Sequence, residues 1–187
     1  MVDGEGETRL IMSIETSALA AYRARAHNTN VNDVTLLATD YLNHFNEALM
    51  LAELVVDMPD MLDDLIDWSP VAYGDHFRDS GIADRELAIE AYEFSPTEYK
   101  APFEAITKQL DGEIQDLQAN LSLIDNLEDD EARMMADAQC AVIRGLIEQA
   151  GAIINGHISD LNSQTPSEDS MEDEGTLDQD EINAMFG

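Results

Sequence analysis

The sequence predicts an all-α fold: a helical bundle built around a long antiparallel helical hairpin, then a disordered acidic linker and a C-terminal peptide helix. Three observations predict it. Ala, Leu, Ile, Asp and Glu dominate, while aromatic residues make up only 6%, a mixture that suits helices better than sheets. Apolar residues recur at spacings of three and four over long stretches, which places them on one face of a helix. No alternating pattern competes for a strand, and no internal repeat is visible.

The chain divides into a disordered N-terminus over 1–8, a bundle domain over 9–161, a flexible linker over 162–175 and a partner-binding peptide over 176–187. A first helical pattern runs from Thr8 to His27. Asn28 to Asn30 form a polar break, and Asn30 or Asn32 can cap the second helix. That helix is expected from Asp33 to Asp57, with Leu37, Tyr41, Phe45, Leu49, Ala52 and Val56 on one stripe. Pro59 interrupts it and suits the first turn of a short acidic helix ending at Asp67. Trp68 to Gly81 is less regular and reads as a connector, followed by a short helix from Ala83 to Phe94.

Ser95-Pro96-Thr97-Glu98 reads as a helix start. Ser95 would cap, Pro96 would take the first helical position, and Glu98 would complete a capping box. The helix it opens carries Phe103, Ile106, Leu110, Ile114, Leu117, Leu121 and Ile124, and is expected to reach Asn126, roughly 40 Å at about 1.5 Å per residue. Asp129 or Asp130 starts the last long helix, with Ile143, Ile147, Ala150, Ile154, Ile158 and Leu161 on its stripe. A short acidic turn joins the two as an antiparallel hairpin. Exposed stripes on that hairpin would favour a homodimeric four-helix bundle, whereas the N-terminal helices could complete the bundle within one chain.

Charge narrows the partners. With 40 acidic and 9 basic residues, the net charge is −31. Such a surface repels phosphate backbones and anionic lipid, so nucleic acid and membranes are poor partners and a basic protein surface or a bound cation is a better one. High solubility is the plainer reading of the same charge. No run of about 18 apolar residues offers a membrane span. The acidic start argues against a targeting peptide, and the single cysteine, Cys140, fits a reducing compartment, so a cytoplasmic location is expected. Cys140 lies in an apolar helical pattern and reads as a buried small hydrophobe.

No Lys or Arg follows Arg144, and 162–175 is rich in Ser, Asp and Glu, a composition unable to bury a core. Beyond it the chain turns apolar again. With Asp178 at the N-cap, Glu181 can reach back to it, and Leu177 and Ile182 can form a hydrophobic staple. Asp180 and Glu181 suit the dipole of the first turn. Ile182, Met185 and Phe186 share a face. A helix of about ten residues is unstable alone in water, so this is the profile of a segment that folds into a partner's groove. The plainer alternative is a tail that folds back on its own bundle.

The stretch Leu177 to Phe186 resembles the peptide with which the flagellar switch protein FliM binds the phosphorylated response regulator CheY, roughly Leu-Ser-Gln-x-Glu-Ile-Asp-x-Leu-Leu. Leu177, Gln179, Glu181 and Ile182 match outright. Asp178 stands in for the capping Ser, Asn183 for Asp, and Met185 and Phe186 for the paired leucines. A helical body with a tethered peptide of this kind is similar in layout to the CheZ family of chemotaxis phosphatases. The resemblance covers the tail and the architecture, about a tenth of the chain in detail. It implies CheY as partner and, in the body, an acid and a glutamine four apart on an exposed helix face. There the glutamine orients the water that attacks the aspartyl phosphate, and the acid engages a lysine of the regulator. The Mg²⁺ belongs to the regulator, so the chain would need no cofactor of its own.

Asp111 and Gln115 have that spacing, which places them on one helix face, and positioning a water is mostly a matter of geometry. Relative to the stripe through Leu110, Ile114 and Leu117, both are expected on an exposed flank. Asp116 with Asn120 is a weaker second pair, and an acid followed by Gln is also common among ordinary solvated residues. The fuller local pattern around the family's catalytic glutamine is absent. Gly112, between Asp111 and Gln115, costs about 1 kcal/mol against Ala in a helix interior and would permit close approach of a partner backbone. His44 and Glu47 lie one turn apart, but no metal-site spacing includes His27, His44, His76 or His157, so no metal is expected. No Lys-Gly follows His44 or His157, as a histidine phosphotransfer module would have. Asp60 to Asp67 and Glu128 to Glu131 lack the glycine of a calcium loop, and no phosphate loop or nucleophile elbow appears.

Overall fold

The computed structural model describes residues 16–127 and 129–158. The fold is all-α. Helix α1 occupies 16–26 of the described residues. It is followed by α2 (Leu42–Val55), α3 (Leu62–Asp67), α4 (Tyr73–Asp79), α5 (Arg85–Tyr92), α6 (Thr97–Ser122) and α7 (Asp130–Ile154). Two 3-10 turns, Thr39–Tyr41 and Pro59–Met61, lead into α2 and α3.

The long hairpin is α6 and α7, and α2 packs chiefly against α7. Phe103, Leu110, Ile114, Leu117 and Leu121 of α6 and Ile143, Ala150, Ile153 and Ile154 of α7 are all buried, as the spacing requires. Burying each such side chain stabilises by about 1.5–3 kcal/mol. The pairs Arg133–Asp57, 2.7 Å apart, and Arg144–Glu53 run along the α2–α7 seam, but pairs so exposed contribute little. Helix α1 lies on α5 and the turn after it, with Arg25 bonded to Glu90 of α5 at 2.8 Å and Tyr22 stacked on Phe94, just past the helix, at 4.6 Å.

Several boundaries differ from the sequence expectation. The second helix begins at Leu42, not Asp33. Asn32 does accept the amides of Val34 and Thr35, at 2.9 and 3.0 Å, but it caps a tight loop, not a helix. Leu36 takes a positive φ of 59°, and Val31 bridges Ala38. The loop places Thr35, whose buried hydroxyl donates to the Ile154 carbonyl at 2.7 Å. That explains Ser95 as well. Its hydroxyl donates to the Thr35 carbonyl at 2.7 Å, so it does not cap, and Pro96 is the N-cap of α6. The connector from Trp68 to Gly81 contains α4, because Tyr73 and Phe77 fall one turn apart and are both buried. Helix α6 stops at Ser122, short of Asn126. Helix α7 stops at Ile154, short of Ile158, because Gly156 at φ +83° closes it. The amides of Gly156 and His157 then bond to Ile153 and Ala152 at 2.9 and 2.8 Å, the pattern of a Schellman cap.

Candidate functional site

Along one flank of α6 the helix period aligns Glu104, Lys108, Asp111, Gln115 and Gln118. Asp111 opens onto a cavity of about 350 Å³. Its walls are the aromatic rings of Tyr41, Tyr73, Tyr92 and Phe103, the segment Pro70 to Ala72, and Thr107 with Lys108. The rings pack on one another, Tyr73 on Tyr92 at 4.3 Å and Tyr41 against Tyr73 at 5.1 Å. The Tyr41 hydroxyl donates to the Val71 carbonyl at 2.7 Å, and the Ala38 amide donates to the Tyr73 hydroxyl at 2.9 Å. These two bonds bring the start of α2 and the segment before α4 to the same wall. Tyr92 donates to Glu104 at 2.8 Å, and the Lys100 ammonium lies 4.1 Å from the centre of its ring.

Asp111 is half-buried, which corrects the expectation of an exposed flank. The helix period puts it nearer the buried stripe than Gln115, and Tyr41 packs over that side. Its Oδ1 is buried and has no hydrogen-bond partner among the described residues. Burial pushes the carboxyl up to about 6, because a low-dielectric surrounding disfavours its charged form. Gln115 is exposed, one turn further on. It does not line the cavity. Gln118 turns inward, and its amide donates to the carbonyls of Leu65 and Trp68, at 2.6 and 2.8 Å. It thereby satisfies the C-terminal end of α3. In the weaker pair, Asn120 donates to Gln139 across the hairpin at 3.2 Å.

A second cavity, of about 320 Å³, lies on the other side of the segment Trp68 to Val71, lined by His44, Glu47, Asp64 and Asp67 among others. His44 stacks on Trp68 at 4.6 Å, with the planes 24° apart. Burial first, then His76, lowers its pKa, while Glu47 and a hydrogen bond with the Ser69 backbone oppose the shift. Among the described residues, no group of three or more His, Cys, Asp or Glu is arranged to hold a metal ion. Among them too, no helix is long and apolar enough to cross a membrane. Cys140 is buried, and desolvation pushes its thiol up to about 11, so at neutral pH it is a thiol and a poor nucleophile.

The peptide residues Leu177, Gln179, Glu181, Ile182, Met185 and Phe186 lie outside the described residues. Spacing does not single out His76, Tyr73 and Tyr92. A signal exists in the sequence nonetheless, since most of the chain's aromatic residues fall between Trp68 and Phe103. Compared with protein-family models, with curated proteins and with solved structures, the chain matches none.

Proposed function

We propose that this is a chemotaxis signalling protein that binds phosphorylated CheY through its C-terminal helix and dephosphorylates it. The observation that carries the reading is the order of residues from Leu177 to Phe186, which combines a cap, a staple and one apolar face behind an acidic tether. On this reading Gln115, exposed on α6, orients the attacking water. Asp111 receives a lysine of the regulator, and the Mg²⁺ is the regulator's own. A second reading, a non-catalytic CheY-binding adaptor or flagellar motor accessory, is favoured by one observation. Asp111 is half-buried behind Tyr41, where a partner's lysine reaches it less readily.

The test uses the full chain and CheY from the same organism, with and without a beryllofluoride phosphoryl mimic. Tighter binding to the activated form, lost in Ile182→Ala or Phe186→Ala, is the expected result. Equal binding to both forms, or none, overturns the proposal. Phosphate release that disappears in Gln115→Ala while binding persists supports the phosphatase. Binding without release supports the adaptor.

A further inference from the structure

We propose that Asn155 is a modification site, a covalent timer at the end of α7. Its side-chain amide is lost through a cyclic imide formed with the Gly156 nitrogen, and the hold of Thr35 on this turn sets the rate. Asn155 is the one asparagine of the chain that glycine follows. A glycine nitrogen is the least hindered nucleophile that a backbone offers to the side chain before it, because no Cβ restricts the dihedrals of the approach. Asn155 is exposed and Gly156 half-buried, so water reaches the pair.

The reaction needs no reagent but water. The Gly156 nitrogen gives up its proton and bonds to Asn155 Cγ. The Cγ–Nδ2 bond breaks, and Nδ2 leaves as ammonia with that proton. Water then opens the ring. Opening at Cγ gives aspartate and restores the main chain. Opening at the main-chain carbonyl gives isoaspartate, with the chain routed through Cγ. Nothing is oxidised or reduced.

The closed turn opposes the first step at both reacting groups. The Gly156 amide donates to the Ile153 carbonyl at 2.9 Å, so its proton is engaged. Asn155 Nδ2 donates to the Gly151 carbonyl at 2.9 Å, which draws the side chain back along α7 and away from the nitrogen that must attack it. Thr35 holds the turn from outside. Its buried hydroxyl donates to the Ile154 carbonyl at 2.7 Å. Its Cγ2 lies 4.0 Å from where a Cβ on Gly156 would stand. Thr35 therefore meets the residue on each side of Asn155. Conversion requires this turn to open, and a helix end opens more readily than a core.

The products do not close the turn again. A carboxylate at 155 cannot donate to the Gly151 carbonyl, and it puts negative charge at the C-terminal end of a helix, where the dipole disfavours it. Isoaspartate adds an atom to the main chain and carries the amides of Gly156 and His157 out of register with Ile153 and Ala152. The hold between Ile154 and Thr35 then weakens. The Thr35 carbonyl also accepts the Ser95 hydroxyl at the start of α6. One lost amide thus loosens the end of α7, the loop before α2 and the entry to α6 together.

The full chain is aged at pH 8, folded and in guanidinium chloride, and Asn155, aspartate and isoaspartate are followed by peptide mapping. Conversion should be about tenfold slower in the folded chain than in the unfolded one, or slower still. Thr35→Val, which removes the hydroxyl and keeps a methyl toward Gly156, should speed the folded reaction severalfold. Asn155→Asp should make the Gly156 and His157 amides exchange severalfold faster than in the unsubstituted chain. Equal rates folded and unfolded overturn the proposal, as does a folded rate unmoved by Thr35→Val. So does an Asn155 that stays intact in the folded chain while other asparagines convert, or unchanged exchange in Asn155→Asp. If Thr35→Val fails to fold, the unsubstituted chain decides it in guanidinium below the unfolding transition. Conversion of Asn155 and exchange of the Gly156 amide should rise together there, and a rise in one without the other overturns the gating by this turn.

Discussion

The seam between α6 and α7 and the packing beneath the 68–73 strap bury similar helix faces in different ways. The seam meets Leu110, Ile114, Leu117 and Leu121 with Ile143, Ala150 and Ile154, side chains that bring no polar atom into the core. The strap is sealed by tyrosines, histidines and one tryptophan, and it buries Asp40 Oδ2, His44 Nε2, His76 Nε2 and Asp111 Oδ1 with no partner among the described residues. An apolar seam is indifferent to pH and intolerant of lost volume. A polar joint is the reverse, because its energy depends on which protons are bound. One region holds the molecule together, and the other makes part of it responsive.

The comparison can be broken at four points. Leu117→Ala, wholly buried in the seam, should cost about 3 kcal/mol at any pH, seen in thermal or denaturant unfolding. A pH-dependent cost would mean that the seam is not the inert partner. Gln118→Ala strips a donor from two carbonyls at the junction of the two regions, and should cost about 2 kcal/mol while loosening Trp68.

Asp111→Asn should stabilise. Its folded pKa, raised from 3.8 to about 6, means that the native state binds its proton more tightly than the unfolded chain does. The stability this carboxyl contributes is therefore full below pH 3.8 and is lost as pH rises through 6. The substitution should gain about 1 kcal/mol at pH 8, after allowance for solvent screening, and nothing at pH 4. Gains equal at both pH values would rule out titration as the cause. Smallest is Gly145→Ala, where an added Cβ meets nothing within 4 Å. It should stabilise α7 by about 0.8 kcal/mol in a melting experiment. A loss would show that another surface approaches that face.

The seam was legible in the sequence and the joint was not, for a physical reason. A helix stripe repeats every three or four residues, so Leu110 through Leu121 announce themselves within one segment. The joint is assembled from residues far apart, Tyr41, Trp68, Tyr73, His76, Tyr92 and Phe103, and no local period connects them. The same limit explains the misplaced start of the second helix. Leu37 and Tyr41 fit the stripe, but Thr35 is recruited by Ile154, a residue 119 positions away, and that contact overrides the local pattern. Ser95 does use its hydroxyl, as its place before Pro96 suggests, but on a loop carbonyl far away in sequence and not on its own helix. Asp111 and Gln115 share a flank as their spacing required, yet a difference of about 40° in helix phase leaves one half-buried and the other in water.

Thr35 has a consequence for how the protein is made. It bonds to Ile154 and to Ser95, so the loop near the start of the fold is complete only when the end of α7 exists. On a ribosome adding about 5–20 residues per second, Thr35 waits roughly ten seconds for its partner. Through that interval the nascent chain has α2 and the strap but no seam to rest them on. Its earliest compact form must therefore hold Thr35 by some other means, or leave it in water until the last helix arrives.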